Sequence, residues 1–498
     1  MAEKKVRDFD MDGVQNLYNF LFEACNIIRG PVSQDNFKDY ITPILYYKRI
    51  SDVYDEETQD ALQESGGDEE YASLPEQHRF FIPDGCHWQD VRERTENLGA
   101  AIVGAMRGIE LANPDTLYGV LSMFSAQKWT DKKNLSDGKI RDLIEHLSTR
   151  KLGNKDYPTD LMGDAYEILL KKFADDSKAK AGEFYTPRSV VQLLVRILDP
   201  QPGESVYDPA CGSGGMLIEA VHHMNHSNLC CGNIFGQEKN VVNSAIAKMN
   251  LFLHGASDFN IMQGDTLRNP KILQGGEVAK FDCVIANPPF SLEKWGSVEW
   301  SSDKYGRNIW GTPSDSCGDY AWIQHMIASM APGKGRMAVV MPQGVLFRGN
   351  EEGRIREKLV KSDMVEAVVT LGDKLFYGTG LSPCFLIIRK MKPAAHSARV
   401  LMIDGTKILT PKRAQNILEQ KDVDRLYELY ANYENVEDFS QVVTLDEIAA
   451  KGYDLSPNKY VQYHREAIKP YAEVLAEFQA AYEEVKLRET EFRNIINA

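Results

Sequence analysis

No stretch of this 498-residue chain is apolar for long enough to cross a bilayer, which takes about 20 such residues in a row. The start, MAEKKVRDFDMDGVQ, carries charges where an export signal needs an apolar core. Neither a membrane anchor nor secretion is expected, and the cytoplasm is. Cysteine is sparse: eight residues, at 25, 86, 211, 230, 231, 283, 317 and 384, lack the paired spacing of a disulfide framework and suit a reducing compartment. Cys211 and Cys283 fall on strand-like segments and are expected there as small apolar residues. Basic charge is also short. Lys and Arg number 57 against 72 Asp and Glu, a formal net charge of −15, so the basic face with which a protein grips nucleic acid unaided is missing. Repeats and low-complexity tracts are absent as well.

What is present, with 43% hydrophobic residues, suffices for two or three ordinary cores. Residues 1–155 show helical periodicity, as in VQNLYNFLFEACNIIRG and FKDYITPILYYKRISDVYDE, and are expected to form an all-helical domain. Residues 156–395 alternate short β-rich runs with helical ones, from SVYDPA to CFLIIRK, which predicts an α/β domain with a mostly parallel sheet covered by helices on both faces. Residues 396–498 read as a C-terminal extension ending in a long helix.

The run VYDPACGSGGML delivers Asp208 from a strand and turns through Pro209, Ala210, Gly212, Ser213, Gly214 and Gly215 into a helix. Glycines there let backbone approach a ligand at the carboxyl end of a strand, where open α/β sheets bind. The next strand ends on Glu238, whose two oxygens suit the paired hydroxyls of a ribose. The third ends on Asp265, beside Thr266, where an adenine amine could be accepted. GSGG lacks the GxGxxG spacing of a dinucleotide site, and an Asp just before the glycines would repel phosphate. It suits a ligand with a cationic amine and sulfonium, S-adenosylmethionine.

FDCVIANPPF then runs an apolar strand into Asn287, Pro288, Pro289 and Phe290. Two prolines remove two donors and fix the backbone, so the turn presents its neighbouring groups rigidly. An exocyclic base amine is a poor nucleophile because its lone pair is delocalised. The Asn287 side-chain carbonyl and the Pro288 backbone carbonyl could each accept one of its N–H groups while Phe290 stacks on the flipped base.

These motifs, with LYYKRISDVYDE, GEFYTPRSVV, VVMPQGVLFRG, LFYGTGLSPCFLIIRK and YDLSPNKYV, resemble the modification subunit of type I restriction-modification systems over nearly the whole chain. The resemblance implies a class I S-adenosylmethionine-dependent methyltransferase fold, Rossmann-like and doubly wound. It also implies methylation of adenine N6 in DNA, and a donor-binding role for Glu183, Phe184, Tyr185, Thr186 and Pro187. Partners implied are a specificity subunit, shared by two methyltransferase subunits, and a restriction subunit. Related stand-alone enzymes carry a sizeable recognition domain after the catalytic one; here about a hundred residues remain, without a basic cluster. Two other classes stay open: a methyltransferase acting on protein glutamine or RNA bases, and a scaffold that keeps the fold without catalysis.

Three further features are weighed. His222, His223 and His226, near Cys230 and Cys231, are expected to be a solvated helix end rather than a metal site, since zinc ligands come in regularly spaced pairs. The segment after Phe290 holds Trp295, Trp300 and Trp310, three of the chain's six tryptophans. It either folds on its own aromatics or acts as a lid with Lys294, Lys304 and Arg307 available for phosphate. The last helix carries an apolar stripe at Ile468, Tyr471, Val474, Leu475 and Phe478 that needs a cover, from the chain itself or from the specificity subunit.

Overall fold

The computed structural model describes residues 11–117, 119–121, 126–176, 186–225, 233–256, 258–376, 382–412, 415–464 and 471–496. Its first part is built from helices, among them Met11–Ile28, Phe37–Glu64, Leu98–Ala112 and Asp137–Ser148. The last of these shows why such segments are helical: Ser136 caps it by accepting the Lys139 N–H, and Ile140, Leu143, Ile144 and Leu147 bury one face at helical spacing. Arg49, fully buried on the long second helix, donates to the carbonyls of Gly153 (2.6 Å) and Tyr157 (3.0 Å), tying the following loop to this bundle.

Among the described residues eleven strands follow: β1 Val206–Asp208, β2 Ile234–Glu238, β3 Phe259–Gln263, β4 Leu273–Gln274, β5 Glu277–Val278, β6 Cys283–Ala286, β7 Arg336–Pro342, β8 Val365–Leu371, β9 Pro383–Arg389, β10 Arg399–Gly405 and β11 Ser440–Thr444. Nine form one sheet in the order β11-β10-β8-β9-β7-β6-β1-β2-β3, and β4 with β5 makes a separate hairpin. β9 runs antiparallel to β7 and β8, and β11 to β10; the other pairings are parallel. β6 and β8 are buried at every residue, as strands covered on both faces must be. Cys283 and Ile285 enter the core under the helices Arg188–Leu198 and Gly215–Asn225, while Val284 and Ala286 enter the opposite core under Asp319–Ala328. The chain moves outward from β1 through β2 to β3 and then returns to place β6 on the other side of β1. That reversal is the switch point where α/β sheets hold their ligands.

The sheet runs on past residue 395, the expected end of the catalytic region, because β10 and β11 add to it. At the other boundary, the helix Thr159–Asp176 packs into the helical core through Met162, Ala165, Tyr166 and Leu169, as do Met249 and Phe252 from the helix Val241–Leu253. Cys211 is buried but sits in the turn after β1 rather than on a strand, with its N–H on the Gln237 carbonyl at 3.1 Å. His222 and His223 do end a helix, yet they are half-buried and fastened: His223 Nε2 lies 2.8 Å from Asp199 and His222 Nε2 3.1 Å from His254. His226, Cys230 and Cys231 lie outside the described residues. The helix Tyr471–Ile496 is exposed along its described length, with Tyr471, Phe478, Val485 and Phe492 each more than 60% accessible; Ile468 lies outside the described residues. No helix among the described residues is long and apolar enough to cross a membrane.

Candidate active site

The acidic edge begins at Asp208, 2% exposed at the end of β1, where it accepts the Ala210 N–H at 2.9 Å. Burial, reinforced by the nearby Glu238 charge, pushes its carboxyl up to about 8. Gly212 and Gly214 sit at φ +54° and +86°, the left-handed region that favours glycine. Ser213 is held through its carbonyl by Asn250 Nδ2 at 2.8 Å, and Gly215 opens the helix.

Glu238, at the end of β2, accepts the Gly212 N–H on one oxygen (2.9 Å) and the Asn240 N–H on the other (2.6 Å), and burial raises its carboxyl too. Asp265 follows β3, paired with Lys239 at 2.9 Å. Thr266, buried beside it, donates to the Pro209 carbonyl at 2.6 Å, so the third strand end is stitched to the first. Three acidic side chains thus stand on three neighbouring strand ends around a glycine turn.

β6 brings the second half. Asn287 donates its side-chain N–H to Thr186 Oγ at 2.8 Å, while its Oδ1 is sheltered from solvent and has no partner among the described residues. Pro288 is buried, Pro289 exposed, and Phe290 half-buried, with the Phe376 ring 6.4 Å away and tilted 56°. Just after Phe290, Ser291 takes φ +49° and donates its N–H to Asp319 Oδ1 at 2.7 Å. Asp319 is fully buried and pairs with Arg348, which also reaches Glu352 at 2.6 Å. Pro187 starts the helix Arg188–Leu198 by accepting the Val190 N–H at 2.9 Å. Glu183, Phe184 and Tyr185 lie outside the described residues.

The tryptophan-rich segment is folded on its own aromatics. Trp295 and Trp300 are buried and meet edge to face at 5.5 Å. Arg307, expected to be available for phosphate, is 2% exposed and spent on internal partners; the sequence shows its charge but not its burial. Phe376, Asp319 and the Thr186–Asn287 bond were not anticipated. Phe376 lies inside LFYGTGLSPCFLIIRK, which gives no local hint that its aromatic returns to Phe290. A groove of about 500 Å³ opens further along the same edge, lined by Gln343, Phe347, Thr370 and Asp404, and shares no residue with the acidic edge or the Asn287 turn.

Comparison with known proteins identifies the family. The N-6 DNA Methylase model matches residues 157–468, and the HsdM N-terminal domain model matches residues 17–147. The chain is 34% identical over 333 residues to the type I restriction enzyme MjaVII methylase subunit of Methanocaldococcus jannaschii, covering 65% of this chain and 56% of that protein. With the MjaVIII methylase subunit of the same organism it shares 30% identity over 468 residues, 89% of this chain and 78% of that one. The crystal structure of the type I restriction-modification system methyltransferase subunit from Streptococcus thermophilus superimposes with a TM-score of 0.77 at 26% identity, covering 91% of this chain and all of that one. The chain belongs to the N-6 DNA methylases, among the methylase subunits of type I restriction enzymes.

Proposed function

We propose that the chain transfers a methyl group from S-adenosylmethionine to N6 of an adenine swung out of duplex DNA, as the modification subunit of a type I restriction-modification complex. The observation that carries this reading is the Asn287 amide: its N–H₂ end is held by Thr186, and its sheltered oxygen has no partner among the described residues, at the end of the strand that pairs with β1. A positioned acceptor of that kind is what a delocalised base amine needs.

The residues present suit the methyl donor, which when bound supplies a methyl group activated on a sulfonium. Asp208, Pro209, Ala210, Gly212, Ser213, Gly214, Gly215, Glu238, Asp265 and Thr266 would hold it. A buried carboxylate short of partners, Asp208, matches a cation, and each Glu238 oxygen keeps a lone pair for a ribose hydroxyl beyond the backbone N–H it already accepts. Asn287 Oδ1 and the Pro288 carbonyl would take the two N–H groups of the target amine, with Phe290, backed by Phe376, against the base. The prolines keep both acceptors from relaxing away. Thr186 and Pro187 join the two halves; Glu183, Phe184 and Tyr185 enter on the family resemblance alone.

Family membership favours DNA over RNA or protein glutamine, and an intact acidic edge and Asn287 turn argue against a bare scaffold. We read the chain's organisation as a helical region through about residue 176, into whose core the helix Val241–Leu253 also packs, a sheet region from 186 to 464 and a final helix, in place of boundaries at 155 and 395. The final helix would dock on a specificity subunit. Tyr471, Phe478, Val485 and Phe492 recur every seven residues with Leu475 and Tyr482 beside them, a seam suited to partner helices. Two copies of the chain per specificity subunit, and a restriction subunit in the full assembly, complete the reading. The test is the product: duplex DNA incubated with the chain, a specificity subunit and labelled donor should yield N6-methyladenine on nuclease digestion, and label elsewhere or nowhere counts against the proposal.

A further inference from the structure

We infer that Arg307 is a positioning residue for the methyl donor, and that the tryptophan-rich segment serves as a brace built against the donor edge of the sheet. The inference rests on the donor site proposed above.

The side chains of Arg307 and Asp303 are each 2% exposed. Arg307 reaches Asp303 Oδ1 through Nε at 3.0 Å and Nη2 at 2.6 Å. Two more of its donors go to backbone: Nη1 to the Thr266 carbonyl at 2.8 Å and Nη2 to the Leu267 carbonyl at 3.0 Å. Asp303 is committed in turn, its other oxygen accepting the N–H groups of Arg307 (2.8 Å) and Tyr305 (3.2 Å). The Trp300 ring lies 4.6 Å from the guanidinium and the Tyr305 ring 5.1 Å. A buried ion pair contributes little net stability compared with apolar residues of the same volume, so its presence here calls for a gain in geometry.

That geometry is the turn after β3. Asp265 begins it, and the two carbonyls that Arg307 holds are the next two along the chain. From the other side, Thr266 is tied to the Pro209 carbonyl, next to Asp208. The turn is clamped between the glycine turn and the tryptophan segment, and a planar fork that spans two successive carbonyls sets its position in a way an ammonium group cannot. If the clamp opens, Asp265 and the Pro209 carbonyl lose their register together, whereas Asn287, just after β6, keeps its own supports in Thr186 and, through Ser291, Asp319.

Two variants of the full-length chain test this: Arg307→Lys, which keeps the charge pair with Asp303, and the double change Arg307→Met with Asp303→Asn, which leaves no charge unpaired. S-adenosylmethionine binding is measured by calorimetry on the chain alone, and turnover in complex with a specificity subunit. The donor Kd and donor KM should rise about tenfold, the scale of one or two lost hydrogen bonds. The kcat at saturating donor and the KM for DNA should stay within about twofold of wild type. Folded variants that bind donor like wild type overturn the inference, and so does a parallel fall in kcat and DNA affinity, which marks a merely structural role. Asp208→Asn and Glu238→Gln run alongside: if these too leave donor binding untouched, it is the donor site itself that has been misplaced.

Discussion

A primary amide can donate at one end and accept at the other, and the described environment of Asn287 uses only the first. Thr186 takes the N–H, which orients the oxygen. Thr186→Val should release that orientation and lower the methyl-transfer rate about tenfold, with the protein still folded, since one hydrogen bond of this kind contributes about 1 kcal/mol. A variant with unchanged rate shows that the prolines alone hold the amide. Asp208 gives a prediction in pH. Its carboxyl stands near 8 in the folded chain against an ordinary 3.8, with burial the main cause and Glu238 the second. The folded state therefore keeps a proton that the unfolded state loses, so this group's stabilisation is full below about pH 4 and is lost as pH rises toward 8. A cationic donor favours the ionised form, and its affinity should increase over the same range. Asp208→Asn should flatten both trends, raising the melting temperature at pH 8 while weakening donor binding; a variant that keeps the wild-type pH slope of donor affinity contradicts this. At the level of residues the placement of Asp208, Glu238, Asp265 and Asn287 at or just after strand ends was legible, from the Gly and Pro that break the chain beside them. Burial was not: Arg307 looks like any charged loop residue until its partners are seen.

Among the elements, β6 was readable as a continuous apolar run and β8 from its β-branched residues, and the glycine turn because its spacing fixes a strand before it and a helix after it. β10 and β11 were not, since they pair with strands 30 or more residues away and no local pattern records such a partner. The turn after Phe290 depends on an element of this kind. Ser291 is fixed by Asp319 at the start of the helix Asp319–Ala328, and Asp319 by Arg348. Asp319→Asn keeps an acceptor but weakens the pairing with Arg348, so kcat should fall about tenfold at unchanged donor affinity, as single-turnover kinetics beside a donor titration would record. Equal losses in both would place Asp319 in general support of the fold. For the last helix, removal of residues 465–498 should leave a folded chain with normal donor affinity that no longer assembles with a specificity subunit on size-exclusion chromatography. Assembly at wild-type affinity contradicts the docking reading, and loss of donor binding would assign the helix to the chain's own core.

At the scale of the whole molecule, a net charge of −15 fits the proposal of an enzyme that relies on a partner to hold DNA. The sheet supplies two supports on one edge: three acidic strand ends on one side of the switch point, and a proline-fixed amide on the other. Donor binding and amine activation are then separable, and the central claim is that Asn287 serves the second alone. The most direct test is single-turnover methyl transfer to a target duplex by complexes built with wild-type or Asn287→Ala subunits, at saturating donor, with donor affinity measured on the same preparations. Loss of one positioned acceptor should slow transfer by about a hundredfold or more, on the order of 3 kcal/mol in the barrier, while donor affinity stays within about twofold. Transfer at near wild-type rate, or a matching collapse of donor binding, would contradict the account.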